Sequence, residues 1–394
     1  MAPDPQTSTP FRARRLVVAG LVAAVVAAGI AVPLALRGGD DREGRPAAKA
    51  AGVTGVTGVA AHPDQSPPRQ LIAAGSVAVS TYYTTKLVKR PDGNAVGTYE
   101  WWLLDTATGR YAKTDWAWVD VAPGMRTAAV LERDLPVERI GLVDLATGKV
   151  RRWIDVGGGA DGGVGGGVGG VRFSPDGKRL LATAYRLNPD GLFKDASYEL
   201  NDRTVPGPKQ SRAGFYVIDV ASGKAAFAER PAGKTEPGVP VGGRQDFQWS
   251  RDGKRVWAPA DNKSGRVFYD GTGKEVPAPE QEADPYDPGV ARSPDGKLET
   301  GAFVGEGDEI VSEVRRVKDG ERAAVVPGQQ LLAWADDRHL IAWRCDPERC
   351  DPGKGEFRNQ LLLVGLDGST APLSGFRSQT LRDDSRWTPV FTRR

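Results

Sequence analysis

Past residue 70 the chain repeats one pattern of apolar and polar positions: a strand-length apolar run, a tight polar turn and a second apolar run. The turn is explicit at Ser174-Pro175-Asp176-Gly177-Lys178 and Ser293-Pro294-Asp295-Gly296-Lys297, and altered at Ser250-Arg251-Asp252-Gly253-Lys254. Weaker copies stand at Val121-Ala122-Pro123-Gly124 and Trp334-Ala335-Asp336-Asp337. The residue types suit a hairpin, because Pro presets φ, Asp bonds nearby backbone amides and Gly takes the position of positive φ. Taking Val121, Phe173, Trp249, Arg292 and Trp334 as equivalent points gives intervals of 52, 76, 43 and 42 residues. The two shortest match the ~40 to 45 residues of a four-stranded propeller blade. The longer ones hold insertions: a Gly tract from Gly157 to Gly170, and polar stretches at 186–213 and 231–245.

A second hairpin follows each first one, marked by Asp105-Thr106-Ala107-Thr108-Gly109, Asp144-Leu145-Ala146-Thr147-Gly148, Asp219-Val220-Ala221-Ser222-Gly223 and Asp270-Gly271-Thr272-Gly273, with plainer copies at Asp319-Gly320 and Asp367-Gly368. Each Asp is placed to accept hydrogen bonds from turn amides, which assigns it to structure rather than catalysis. Six second hairpins against five clear first ones leave one blade a strand short. The first unit opens with one convincing strand, Leu71 to Thr81, and the chain ends with an orphan strand at Trp387-Thr388-Pro389-Val390-Phe391. The sequence therefore predicts that the last strand completes the first blade and closes the ring. Pro91-Asp92-Gly93 offers instead a longer first hairpin in that unit. The fold class read from this pattern is all-β, a six-bladed β-propeller of four-stranded antiparallel blades over residues 70–394. It becomes seven-bladed if the segment after Ser374 forms a partial blade of its own.

The paired signatures resemble the WD40-like repeats of TolB-type six-bladed β-propellers, over about residues 71–394. The resemblance implies the fold and no particular activity, because the shared motifs build turns. The chain departs from TolB itself, since the segment before the repeats leaves no room for that protein's amino-terminal α/β domain. A role in the outer-membrane Tol system is not implied.

The amino terminus changes the picture. Leu16 to Leu36 is a run of 21 residues without charge, the length a helix needs to cross a bilayer. Arg12, Arg14 and Arg15 stand just before it, which predicts an inside amino terminus and an exported remainder. We read residues 1–15 as a cytoplasmic tail, 16–36 as a transmembrane anchor or signal, with an uncleaved anchor preferred over cleavage at the small-x-small site Gly29-Ile30-Ala31, and 37–69 as a flexible linker rich in Gly, Ala, Pro and charge, with His62 solvated inside it. This predicts a single-pass protein with its propeller on the extracytoplasmic side. Cys345 and Cys350 are the only cysteines. Outside the cytoplasm their spacing predicts a small disulfide loop.

Composition narrows the functions. Lys plus Arg is 53 against 50 for Asp plus Glu, with 50 Gly, 29 Pro and two His. The charge balance carries no nucleic-acid footprint, and two His leave little for metal chemistry. No metal site and no cofactor are expected. A Gly-x-Ser-x-Gly elbow is missing, and His339 beside a signature turn is read as structural, so no catalytic residues are assigned.

Blade topology separates two faces. The turns joining strands one to two and three to four lie on one face, and all of these are short. The long segments mostly join strands two to three or four to one on the other face: the Gly tract, 186–213, 231–245, 277–288, the Cys345 loop and Thr85 to Gly97. Binding concentrates on such elaborated loops. The candidate binding residues are Lys86, Lys89 and Arg90; the acidic group Glu280, Glu282, Asp284 and Asp287 with Tyr286; and Arg344 at the start of the disulfide loop. The tryptophans are assigned to blade packing. The preferred function is a non-catalytic interaction or sensor domain with a protein partner at the cell envelope. The alternative is a propeller hydrolase or lyase acting on a carbohydrate or envelope component through Asp or Glu of the central channel. Oligomeric state is not legible.

Overall fold

The computed structural model describes residues 53–156, 166–200, 202–231, 243–260, 265–279, 282, 292–305, 309–351, 357–379 and 386–394. The cytoplasmic tail, the apolar run 16–36 and the first part of the linker lie outside the described residues. Among those described, no helix is long and apolar enough to cross a membrane.

The chain is all-β. The first sheet opens with β1 (Ala73–Ala74), β2 (Val77–Lys89), β3 (Ala95–Asp105) and β4 (Arg110–Lys113). The next contains β5 (Trp118–Val121), β6 (Thr127–Leu131), β7 (Arg139–Asp144) and β8 (Val150–Asp155). Strands β9 (Gly167–Phe173) and β10 (Arg179–Tyr185) begin a third sheet, which β13 (Arg212–Asp219) and β14 (Ala225–Glu229) complete after an inserted hairpin, β11 (Gly191–Leu200) and β12 (Arg203–Pro208). A fourth is built from β15 (Gln248–Trp249), β16 (Val256–Pro259), β17 (Arg266–Tyr269) and β18 (Glu275–Val276). Strands β19 (Leu298–Phe303), β20 (Val311–Arg316) and β21 (Arg322–Pro327) make a three-stranded sheet. The last four are β22 (Gln330–Trp334), β23 (His339–Cys345), β24 (Phe357–Gly365) and β25 (Thr370–Gln379), and β26 (Thr388–Arg393) ends the chain.

Strand β26 pairs antiparallel with β2, Val79 opposite Phe391 and Tyr83 opposite Thr388. The expected closure is therefore present, and the first blade runs β26-β2-β3-β4. The Pro91-Asp92-Gly93 hairpin is present as well, because it joins β2 to β3 and leaves the first-strand position for β26. Among the described residues five blades are four-stranded. The expectation of six such blades is corrected at the sheet β19-β20-β21, whose first-strand position falls on residues before Arg292 that are not described; Arg292 itself bridges Glu299. The seven-blade alternative also fails, since residues after Thr370 form β25, the fourth strand of the preceding blade.

Burial follows strand position. In the third blade β10 is buried along nearly its whole length, whereas β14 is exposed at all but Ala228. Inner strands are covered on both faces by neighbouring blades, so Leu180, Ala182 and Ala184 join one core cluster and Leu181 joins another with Phe215, Phe247 and Val256. The outer strand β14 meets solvent although four of its five residues are apolar.

The signature turns share one hydrogen-bond pattern. Ser174, Ser250 and Ser293 donate from Oγ to the Asp two residues on, at 2.5, 2.7 and 2.6 Å. Each of these Asp residues accepts the amide of the following Lys, at 3.1, 2.9 and 3.1 Å. Gly177, Gly253 and Gly296 hold φ of 70°, 67° and 72°, a left-handed region that strains a Cβ and so favours Gly. In the second hairpins Asp105, Asp144, Asp219 and Asp270 accept turn amides, as their spacing predicts.

The expected linker ends early. Residues 53–69 lie against the last and first blades: Val53 and Val56 pack on the cluster of Ile72, Trp343 and Trp387, and the His62 amide donates to Leu373 O at 2.9 Å. Here His62 is half-buried and bridges Ser374, so it is not a solvated tether residue. The apolar residues in a Gly-rich context gain a surface to cover only once the blades are assembled.

Candidate functional site

Two long second-to-third-strand hairpins meet on one face. The β2–β3 hairpin reaches a tip at Arg90–Asn94, where the Arg90 amide donates to Asn94 O at 2.8 Å and the Asp92 carboxylate accepts both the amide and Nδ2 of Asn94. Asp92 is thereby held below the usual carboxylate range, first by the Asn94 amide. The β11–β12 hairpin of the third blade adds to the edge of β3, Gly191 opposite Val96 and Leu192 opposite Ala95. The Gly97 amide donates to Asp190 O at 2.9 Å, and the Lys194 amide to Asn94 Oδ1 at 2.9 Å. The hairpin inserted in the third blade is thus hydrogen-bonded to the first blade, past the second, and β11 and β12 join the strands of the first blade in one seven-stranded sheet, the two joined hairpins capping this face.

A buried ion network underlies the cap. Arg244, in the connection after the third blade, is 4% exposed; its Nε donates to Asp190 Oδ1 at 2.7 Å, its Nη2 pairs with Asp190 Oδ2, and its Nη1 reaches Gly169 O at 2.7 Å and Asp246 Oδ2 at 3.1 Å. The guanidinium lies 4.1 Å from the centre of the Trp118 ring. Burial works against its charge, but Asp190 and Asp246 outweigh burial and raise its pKa above the ordinary arginine value. Tyr185 donates to Asp246 Oδ1 at 2.8 Å and accepts the Gln245 amide at 2.8 Å.

The structure brings together Lys86, Lys89 and Arg90, all exposed on the capping hairpin. Lys86 pairs with Glu100 at 3.1 Å, and Glu100 also takes Lys113 at 3.0 Å. The acidic group is not assembled. Glu280, Asp284, Tyr286 and Asp287 lie outside the described residues. Glu282 is buried and accepts the Arg251 amide at 2.8 Å, which seats it against the β15–β16 signature turn rather than on the capped face. Arg344 is also displaced from its expected loop: it is a half-buried residue of β23, opposite Gln360. The disulfide Cys345–Cys350 is formed, with Cα atoms 6.1 Å apart, and Cys350 Sγ accepts the Arg358 amide at 3.1 Å. His339 Nδ1 lies 2.8 Å from Asp336 in the β22–β23 turn, a structural contact.

Sequence reasoning passed over Asn94, Asp190 and Arg244. The alternation in 193–208 around Asn201-Asp202 carried a hairpin signal, but nothing in it told which strand edge that hairpin would find. The inner strand β5 holds one further group of interest. Asp120 accepts the Phe173 amide at 2.6 Å and lies 4.0 Å from Arg172 Nη1. Burial raises its pKa, opposed by Arg172. Among the described residues no group of three or more His, Cys, Asp and Glu is arranged to hold a metal ion.

No known protein family and no curated protein matches the sequence. Among solved structures the chain is similar to TolB from Acinetobacter baumannii, at 15% identity and a TM-score of 0.36, over 76% of this chain and 65% of that one. It is also similar to the Cps50 (Swd1) β-propeller domain of Myceliophteria thermophila, at 11% identity and a TM-score of 0.34, over 80% and 90% of the two chains. Hydrazine synthase of Kuenenia stuttgartiensis aligns at 14% identity and a TM-score of 0.28, over 71% and 76%.

Proposed function

We propose that the protein is a membrane-anchored, extracytoplasmic β-propeller of TolB-type, WD40-like repeats that acts as a non-catalytic interaction or sensor domain. In this reading residues 16–36 are the anchor, the three-stranded sheet is the sixth sector of the ring, and the partner is a protein of the cell envelope. The observation that carries it is the pairing of Ala95 and Val96 with Leu192 and Gly191, which elaborates one face while the other keeps tight turns. The first described residues meet the turn face: Thr57 O accepts the Gly75 amide at 3.1 Å, Ser76 N donates to Ala335 O at 2.8 Å, and Arg394 Nη1 reaches Gly58 O at 2.8 Å. A tether leaving there directs the cap away from its own attachment point, free to meet a partner.

Photo-cross-linking in the native membrane tests this, with the reactive residue at Lys89 or Arg203 on the cap and at Thr147 or Ser222 on the turn face. Adducts from the cap positions alone support the proposal; adducts from the turn positions alone, or none from any, oppose it.

One observation favours the alternative of a hydrolase or lyase on a carbohydrate or envelope substrate: the raised carboxyl of Asp120 on an inner strand. No second carboxylate is among the groups that set its charge, and its neighbour is Arg172, so the acid–base pair that such chemistry uses is incomplete. Loss of turnover in Asp120→Asn, on any substrate found by screening, would revive that reading.

A further inference from the structure

The cap contains a cleft where its two hairpins join, floored by Ala95, Val96 and Gly191 and walled by Phe193, with Asn94 and Arg90 at its mouth. Val88, opposite Val96, is 45% exposed beside it, and Leu187 is 39% exposed. The charges around this apolar floor are unbalanced once internal pairs are removed. Glu100 is taken by Lys86 and Lys113, and Asp195 by Lys209 at 2.6 Å, while Asp92, hydrogen-bonded by the neutral Asn94, keeps its charge and faces Lys194 and Arg90. Lys89, Arg90 and Lys194 make no ion pair among the described residues. Arg90 lines the cleft, Lys89 and Lys194 are next in sequence to residues that line it, and three cations against the one carboxylate of Asp92 leave a positive excess beside the apolar floor.

We propose that this cleft binds an acidic peptide segment of a partner protein, seating one aliphatic or aromatic side chain on Ala95, Val96 and Phe193 while flanking carboxylates meet Arg90, Lys89 and Lys194. The inference rests on reading the capped face as an interaction surface and adds the chemistry of its partner. Apolar burial fixes the anchor, and the complementary charges speed the encounter and reject basic sequences. A lipid surface fits less well, because the first described residues meet the opposite face.

The test is selection of a random peptide library on the full-length protein in detergent, run beside Arg90→Glu/Lys194→Glu and Phe193→Ala. All three exposed or half-exposed sites are checked for unchanged thermal unfolding. Enriched peptides are expected to be net acidic with an apolar centre, and their recovery is expected to fall about tenfold or more on the charge-reversed variant, with a loss in added salt. Enrichment without acidic bias, no enrichment, or equal recovery on the charge-reversed variant would overturn the proposal. So would binding to phosphatidylglycerol vesicles that the selected peptides fail to displace. Cap cross-links that persist in Arg90→Glu/Lys194→Glu would remove the acidic peptide and leave the interaction surface standing.

Discussion

The amide of Gly97 donates to the carbonyl of Asp190 at 2.9 Å, and this bond ties the first blade to the base of the hairpin inserted in the third. The carboxylate of the same Asp190 holds Arg244. One residue therefore joins a strand edge, an insertion and an inter-blade connection, and the shape of the capped face depends on it.

Truncating one member of this network leaves the other charged and buried. Arg244→Ala or Asp190→Ala is expected to destabilise the fold by about 3–5 kcal/mol, while replacing Arg244, Asp190 and Asp246 together by apolar residues of similar volume costs less. Urea unfolding of the purified chain reads both. A cost under about 1 kcal/mol for the single changes would show that the cap is held by its backbone pairing alone.

Ring closure has its own probe in Trp387, which is 1% exposed, contacts Tyr82 and Trp343 with ring centres 5.7 and 5.1 Å away, and donates to Ser66 Oγ at 3.0 Å. Trp387→Ala is expected to cost about 3–5 kcal/mol. Removal of residues 387–394, which deletes the first-position strand of the first blade, is expected to abolish cooperative unfolding in calorimetry.

The turn aspartates predict an acid transition. Hydrogen bonds from Ser293 and the Lys297 amide lower the Asp295 pKa to about 2, and Asp176 is lowered in the same way, first by Ser174. A carboxyl whose folded pKa lies below its unfolded value stabilises the fold above the unfolded value and loses that contribution as pH falls through the folded one. Stability measured by urea at stepped pH should be level near neutrality and drop between about pH 4 and pH 2. Asp295→Asn should shrink that drop, and an unchanged profile would count against the turn assignment.

The disulfide closes a loop of sequence separation 5, so its effect on the unfolded chain is small, about 2 kcal/mol by loop closure. Cys345→Ser/Cys350→Ser should fold and retain cap cross-linking, with a modest fall in Tm. Complete loss of folding would mean that the loop organises more than the β23–β24 connection.

The repeat was legible because turn chemistry is local: Ser-x-Asp-Gly and Asp-x-x-Thr-Gly fix their own hydrogen bonds within five residues, wherever the blade sits. Closure by β26 was legible from an unpaired strand at each end. The cap was not, since the pairing of Leu192 with Ala95 spans almost a hundred residues and leaves no periodic trace in either partner. Glu282 and Arg344 were misplaced for a related reason: a charge at or near a loop reads as solvated, although a turn amide buries Glu282 and a strand position half-buries Arg344. The same burial limits what a deletion in this hairpin can remove. Excising all of 186–213 removes Asp190, Arg212 and Ala213, which are buried, so its failure to fold would say nothing about binding.

The most direct measurement is therefore co-purification from the native membrane of the tagged full-length protein and of a form in which Lys194–Asp195 through Val205–Pro206 is replaced by a short Gly-Ser turn joining Phe193 to Gly207, residues that already face each other. The account predicts unchanged thermal unfolding and loss of a partner that the intact protein recovers. Recovery of the same partner by the shortened form, at equal stability, would contradict it.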